Sequence, residues 1–207
     1  MNSKYKWLIL GGVSILILGT LTTIYFVRKK KSGKKSSNGD EKNDNNNKKS
    51  TDYTKNIIIG DSQTPFIAKN TTKAIILNKV GSEEALWKGG QNLKWLKGAV
   101  EKYKKSPEIN GVIINIGTNG GFNVKEDVVG LVNSIKSTFP NANLYAVQGS
   151  WGWGGNKNKT LEMVTNYYNK FKDVGVKLIE PPIGSVKDPH GNLPVYAQIG
   201  KSIDNEL

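Results

Sequence analysis

The chain has 207 residues, room for one domain plus attached segments, and it contains no cysteine, which excludes a disulfide framework and a thiolate zinc site. Its formal charge of +13 is unevenly placed: residues 1–55 hold 12 Lys/Arg against 4 Asp/Glu, and residues 56–207 hold 18 against 13. The basic character therefore belongs mostly to the N-terminal quarter, and it does not point to a nucleic-acid-binding fold or to a specific nucleic-acid partner.

Residues 1–6 are a short flank. Trp7 to Val27 is a run of 21 residues without a charge, WLILGGVSILILGTLTTIYFV. As a helix rising 1.5 Å per residue it would be roughly 30 Å long, the thickness of a hydrocarbon core. Trp7 and Tyr25 fall near its ends, where aromatic rings favour the membrane interface. A cleaved signal peptide is the alternative, but its apolar region is usually about 7–15 residues, and no convincing small-x-small cleavage site precedes the basic run. Residues 7–27 are expected to be a single-pass transmembrane helix whose partner is the lipid bilayer. Its orientation stays open. Lys4 and Lys6 precede it, while Arg28, Lys29, Lys30, Lys31, Lys34 and Lys35 follow it. The positive-inside bias would put the C-terminal part in the cytoplasm, whereas a domain acting on cell-envelope or virion material would need the other side.

Residues 28–55 are Lys, Asn, Ser, Asp and Gly with almost nothing apolar, so they are expected to form a disordered linker. As a flexible coil it would span roughly 30 Å end to end. The basic residues within 28–35 could also lie on anionic lipid headgroups.

Folding patterns begin at Asn56. Ile57-Ile58-Ile59 reads as a buried strand, because stiff β-branched side chains pack well on a pleated surface. It runs into Gly60-Asp61-Ser62-Gln63-Thr64-Pro65, where the proline suits the first turn of a helix. A serine on such a turn lies close to free backbone N–H groups, which suits a nucleophile; Asp61 and Ser62 could equally be plain turn and cap residues. Ala74–Leu77 reads as a second strand. Gly89-Gly90 then opens a helix with Leu93, Leu96, Val100 and Tyr103 on one face. Gly111–Ile116 is a third strand, ending at Gly117-Thr118-Asn119-Gly120-Gly121. Val128, Leu131, Val132, Ile135 and Phe139 mark the next helix, stopped by Pro140. Leu144–Val147 is a fourth strand, followed by the glycine-rich loop Gly149–Gly155. Leu161, Val164, Tyr168 and Phe171 line another helix, Val176–Ile179 is a fifth strand, and a last helix covers about Pro194 to Ile203.

Apolar strands separated by amphipathic helices predict a three-layer α/β/α sandwich around a mostly parallel, five-stranded sheet, over residues 56–207. In such sheets ligands bind at the carboxyl ends of the strands, where Ser62 and Asn119 both fall. The chain has one histidine, His190, in a loop after the fifth strand, with Asp188 two residues before it. An imidazole oriented by a carboxylate is what a general base requires, and the order Ser…Asp…His occurs in other triads.

These pieces together resemble the SGNH (GDSL-type) hydrolase family, whose fold is flavodoxin-like, over about residues 56–203. Gly60-Asp61-Ser62 matches the first block, with Gln63 where leucine is common. Gly90 matches the glycine block, with Gly81 as runner-up. Gly117-Thr118-Asn119 matches the third block, although Gly120 replaces the usual Asp. His190 matches the last block, and Tyr196 matches an aromatic residue near it. The resemblance implies a serine esterase without metal or cofactor. Ser62 would be the nucleophile, His190 the base and Asp188 its acid, with Ser62 N–H, Gly90 N–H and the Asn119 amide as oxyanion hole. The family usually carries Asp three residues before the histidine, and that position is Lys187 here. Trp151 and Trp153 could form a platform for sugar rings, or one of them could close the core. The implied substrate is then an acylated saccharide, such as an O-acetylated envelope glycan. The alternative is a catalytically weak glycan-binding module of the same fold, tethered to a membrane.

Overall fold

The computed structural model describes residues 55–77, 85–180 and 193–207. The expected membrane span at 7–27 and nearly all of the linker at 28–55 lie outside the described residues, as do Gly81, Asp188 and His190. Among the described residues no helix is long and apolar enough to cross a membrane.

Four strands form one sheet: β1 (Asn56–Gly60), β2 (Gly111–Asn115), β3 (Asn143–Val147) and β4 (Lys177–Ile179). They lie side by side in chain order, and every pairing is parallel. Helices separate them: α1 (Thr64–Ala68) and α2 (Leu93–Lys102) after β1, α3 (Val128–Thr138) after β2, α4 (Leu161–Asp173) after β3, and α5 (Leu193–Glu206) after β4. Parallel neighbours need such crossovers, because no hairpin can return the chain to the same edge.

The strands read as unbroken apolar runs because both faces of the sheet are covered. Ile57, Ile59, Val112, Ile114, Leu144 and Ala146 pack with α2, α3 and α4, through Leu96, Leu131, Ile135, Val164 and Phe171. Ile58, Ile113, Val147 and Ile179 face the other way, onto Ile67 of α1 and Tyr196, Ile199 and Ile203 of α5. Tyr196 is fully buried there and stacks on Phe66 at 5.2 Å. Side-chain caps begin α2, α3 and α4. Asn92 accepts from the Trp95 N–H, Asp127 from the Gly130 N–H and Thr160 from the Met163 N–H.

One expected strand is reduced. Ala74–Leu77 makes a single parallel bridge, Ile57 to Ile75, through Ile58 N–H to Ile75 O and Ile75 N–H to Asn56 O, both 2.9 Å. Ile75 is 40% exposed, and among the described residues this run has a partner on one side only, at the sheet margin. Further along the same edge of β1, Gly60 bridges Trp87. The described sheet therefore has four strands plus these two bridges on its β1 edge, where five strands were expected.

This edge decides where a site can form. From β1 the chain goes by way of α1, on one face, to the margin beside β1. It then returns by way of α2, on the opposite face, to β2 on the other side. The connections out of β1 and β2 thus diverge, and the carboxyl ends of these two strands border the crevice where open α/β sheets bind ligands.

Candidate active site

Ser62 stands on the turn between β1 and α1. The turn holds itself: Asp61 is buried, its Oδ1 accepts the Gln63 N–H at 3.0 Å, and its carbonyl accepts the Thr64 N–H. Asp61 is thus a turn residue, as its type suggests. Ser62 does not share that structural role, because Gln63 is the cap residue of α1 and no side chain caps that end. Before the turn, Gly60 has φ +149°, and a Cβ there would stand 1.8 Å from the Asn115 carbonyl oxygen. Only glycine lets β1 end this close to β2.

The glycine pair reaches Ser62 through the edge bridge. Gly60 N–H donates to Leu86 O at 2.9 Å and Lys88 N–H donates to Gly60 O at 3.1 Å, which draws Leu86–Lys88 alongside the end of β1. A Cβ on Gly89 would lie 3.7 Å from the Ser62 Cβ, while one on Gly90, at φ +73°, would meet nothing within 4 Å. The Gly89–Gly90 segment therefore abuts the Ser62 side chain. Among the described residues, hydrogen bonds take up the N–H groups of Gly60, Asp61, Gln63, Thr64 and Lys88, and those of Ser62, Gly89 and Gly90 are not used.

Asn119 lies on the loop after β2, and its side chain is exposed. The loop beneath it is pinned. Asn156 Nδ2 donates to Thr118 O at 2.8 Å, the Tyr168 hydroxyl to Ile116 O at 3.0 Å, and Phe122 N–H to Gly117 O at 3.0 Å. Burial pushes the Tyr168 hydroxyl well above its ordinary range. The Tyr167 hydroxyl is raised too, by burial and then by the Glu126 carboxylate, which accepts its hydrogen bond at 3.1 Å. Both are neutral hydrogen-bonding groups and neither is a candidate base. Burial also raises Glu126 above the usual carboxylate range, against the opposing bonds from Tyr167 and the Leu93 backbone. An open groove of about 500 Å³ continues from Gly120 along Gly121 to Val124, with Lys159 and Met163 on its other wall.

The tryptophans separate. Trp151 is 8% exposed and belongs to the core, while Trp153 is half-buried and donates from Nε1 to Ser150 Oγ at 3.3 Å. Gly152 between them has φ +91°, which breaks the alternation that would put both rings on one face. A paired platform is thereby reduced to Trp153.

Reasoning from sequence missed the residue directly after the serine. Gln63 is fully buried and joins three loops: Nε2 donates to Thr118 Oγ1 at 2.9 Å and to Ser150 O at 3.1 Å, and Oε1 accepts the Ser150 N–H at 2.8 Å. The available signal was an amide where the pattern that the sequence resembles often has leucine.

No protein-family model matches the sequence, and a comparison with curated proteins found no match. Solved structures do match. A Streptococcus pneumonia protein provisionally described as a platelet activating factor superposes with a TM-score of 0.54 at 13% identity, covering 77% of this chain and 86% of its own. A member of the lipolytic protein G-D-S-L family from Veillonella parvula gives a TM-score of 0.48 at 12% identity, over 71% of this chain and 94% of its own. A family 2 carbohydrate esterase with a carbohydrate-binding domain from Corynascus thermopiles gives 0.47 at 17% identity, over 73% of this chain and 64% of its own. The structural neighbours of this α/β fold thus include G-D-S-L lipolytic proteins and carbohydrate esterases, all at low identity; the likeness is one of fold.

Proposed function

We propose that the chain is a membrane-anchored serine esterase that acts on an ester of a carbohydrate, such as an O-acetylated glycan. Ser62 Oγ attacks the ester carbonyl and passes its proton to His190, whose imidazole Asp188 orients. His190 then returns that proton to the departing sugar hydroxyl, and water releases the acyl group from Ser62 by the same route. The N–H groups of Ser62 and Gly90, with the Asn119 side-chain amide, hold the oxyanion. Trp153 supplies one apolar ring for a sugar face, and residues 7–27 tether the domain to a bilayer through the basic linker.

The observation that carries this reading is the turn itself. A serine free of any capping role stands at the carboxyl end of β1, against a glycine pair, with the N–H groups of Ser62, Gly89 and Gly90 unspent among the described residues. The test is hydrolysis of an aryl acetate by the full chain in detergent. Turnover is expected, with loss on Ser62→Ala and on His190→Ala, since no other histidine exists to serve as base. Turnover that survives Ser62→Ala overturns the reading.

A second reading rests on Lys187, which stands where the family usually has its acid. A chain without a competent triad would be a glycan-binding module of the same fold. It would hold acylated saccharide without cleaving it, and Ser62→Ala would leave that binding unchanged.

A further inference from the structure

We infer that Gln63 is a positioning residue that sets the serine turn in register with the Asn119 loop and with the tryptophan loop; the inference rests on the esterase reading. Gln63 follows the nucleophile directly, Thr118 directly precedes Asn119, and Ser150 directly precedes Trp151. One buried carboxamide therefore ties together the three segments that carry the candidate nucleophile, the candidate side-chain oxyanion donor and the tryptophans.

The chemistry of the amide selects glutamine. Its two N–H donors face two acceptors, Thr118 Oγ1 and Ser150 O, while its oxygen faces the Ser150 N–H. The side chain pairs with both backbone groups of Ser150, as a neighbouring strand would, and has one donor left for the threonine. This pattern also assigns the amide orientation, since the flipped amide would set donor against donor and acceptor against acceptor. Leucine would fill the volume and make none of these bonds. Ionised glutamate has no donor for Ser150 O, and asparagine is one methylene too short.

The surroundings are built around the amide. A Cβ on Gly149 would lie 2.8 Å from Gln63 Oε1 and 2.9 Å from Asn115 Nδ2, so the absence of a side chain at 149 leaves room for both amides. Asn115 Nδ2 reaches Val147 O at 3.4 Å, and Asn156 holds the far side of Thr118. The tie continues to Trp153, whose Nε1 donates to Ser150 Oγ. Burial makes the connection stiff, because each group would lose its partner where no solvent can replace it.

An oxyanion hole acts through donors already in place when charge develops, so a shift of the Asn119 loop relative to Ser62 should act on kcat more than on substrate affinity. The test measures kcat, KM and melting temperature for aryl acetate hydrolysis by the full chain in detergent. The variants are Gln63→Met, Thr118→Val, their combination, Thr118→Ser and, as a core control, Ile135→Val. Gln63→Met should lower kcat on the order of a hundredfold with KM changed by less than about threefold. Thr118→Val removes one of the three bonds and should lower kcat about tenfold, while Thr118→Ser, which keeps the hydroxyl, should restore it. The double variant should be no slower than Gln63→Met, because both break one connection. Ile135→Val should lower the melting temperature and leave kcat unchanged, which separates positioning from a general loss of stability. Should Gln63→Met not fold, the Thr118 pair decides. An active wild type in which both Gln63→Met and Thr118→Val keep kcat, or Thr118→Val alone where Gln63→Met does not fold, overturns the positioning role and leaves the esterase reading standing. A wild type with no turnover overturns the esterase reading, and the positioning role falls with it.

Discussion

Replacing Gly60 by alanine separates two costs that usually arrive together, backbone strain and steric collision. At φ +149° an L residue is strained wherever it sits, and here the added Cβ would also stand 1.8 Å from Asn115 O, 2.6 Å from Asn115 C and 3.0 Å from Thr64 Oγ1. Real Cβ contacts rarely fall below about 3 Å, so the ends of β1 and β2 must part by more than an ångström. That movement breaks the Asp61 N–H bond to Asn115 O and loosens the pairing of Gly60 with Leu86 and Lys88. Strain of about 1–3 kcal/mol and one or two lost buried bonds, each about 1 kcal/mol, give an expected loss of about 2–5 kcal/mol. Gly154 supplies the control. It has φ +51° and nothing within 4 Å of an added Cβ, so Gly154→Ala carries the conformational cost alone, about 1 kcal/mol. Urea unfolding of the two variants, at unchanged m, measures the difference through the midpoints. If Gly60→Ala is no more destabilised than Gly154→Ala, the close approach of the two strand ends is wrong, and with it the account of why the serine turn needs this glycine.

On the proposed esterase reading, Asn119→Ala should lower kcat for aryl acetate hydrolysis by about a hundredfold with little change in KM, as expected of an amide that acts on transition-state charge; a loss carried wholly in KM would make Asn119 a ground-state binding residue. Asp188→Asn should cost on the order of 10⁴ in kcat if that carboxylate holds the His190 imidazole, and under about tenfold if it points elsewhere. Asp204 of α5 accepts from the Thr71 hydroxyl and from the Thr72 and Lys73 N–H groups. Burial raises its pKa, but the bonds from Thr71, Thr72 and Lys73 outweigh it and hold the carboxyl below its usual 3.8. A depressed folded pKa means that the unfolded chain binds the proton more readily, so this stabilisation is present above about pH 4 and is lost as pH falls through the folded value. Asp204→Asn should therefore lower stability at neutral pH, and the difference from wild type should shrink in acid denaturation below about pH 4.

Much of the fold is local and therefore legible in the chain. Ile57–Ile59 and Val112–Ile114 are strands because runs of β-branched residues belong on a sheet covered on both faces. The stripe of Leu93, Leu96 and Val100, and that of Leu131, Val132 and Ile135, set two helices to within a residue or two. Margins were less legible. Ala74–Leu77 has strand composition, but whether such a run pairs along its length or touches once at Ile75 depends on what else competes for the edge of β1, and Trp87 takes part of it. Trp151 and Trp153 show the same limit: equal residue types two apart separate into core and surface because Gly152 turns the chain between them. By itself the sequence determined the order of the elements and the residue types placed at the strand ends, since these follow from short-range sterics and apolar periodicity. Only the tertiary structure decided that Gly89-Gly90 comes to Ser62 by way of the Gly60 bridge, and that Gln63 reaches 55 residues ahead to Thr118 and 87 residues ahead to Ser150. Hydrogen bonds across such separations leave no periodic trace in a sequence, because each depends on two loops meeting only after the sheet between them has formed.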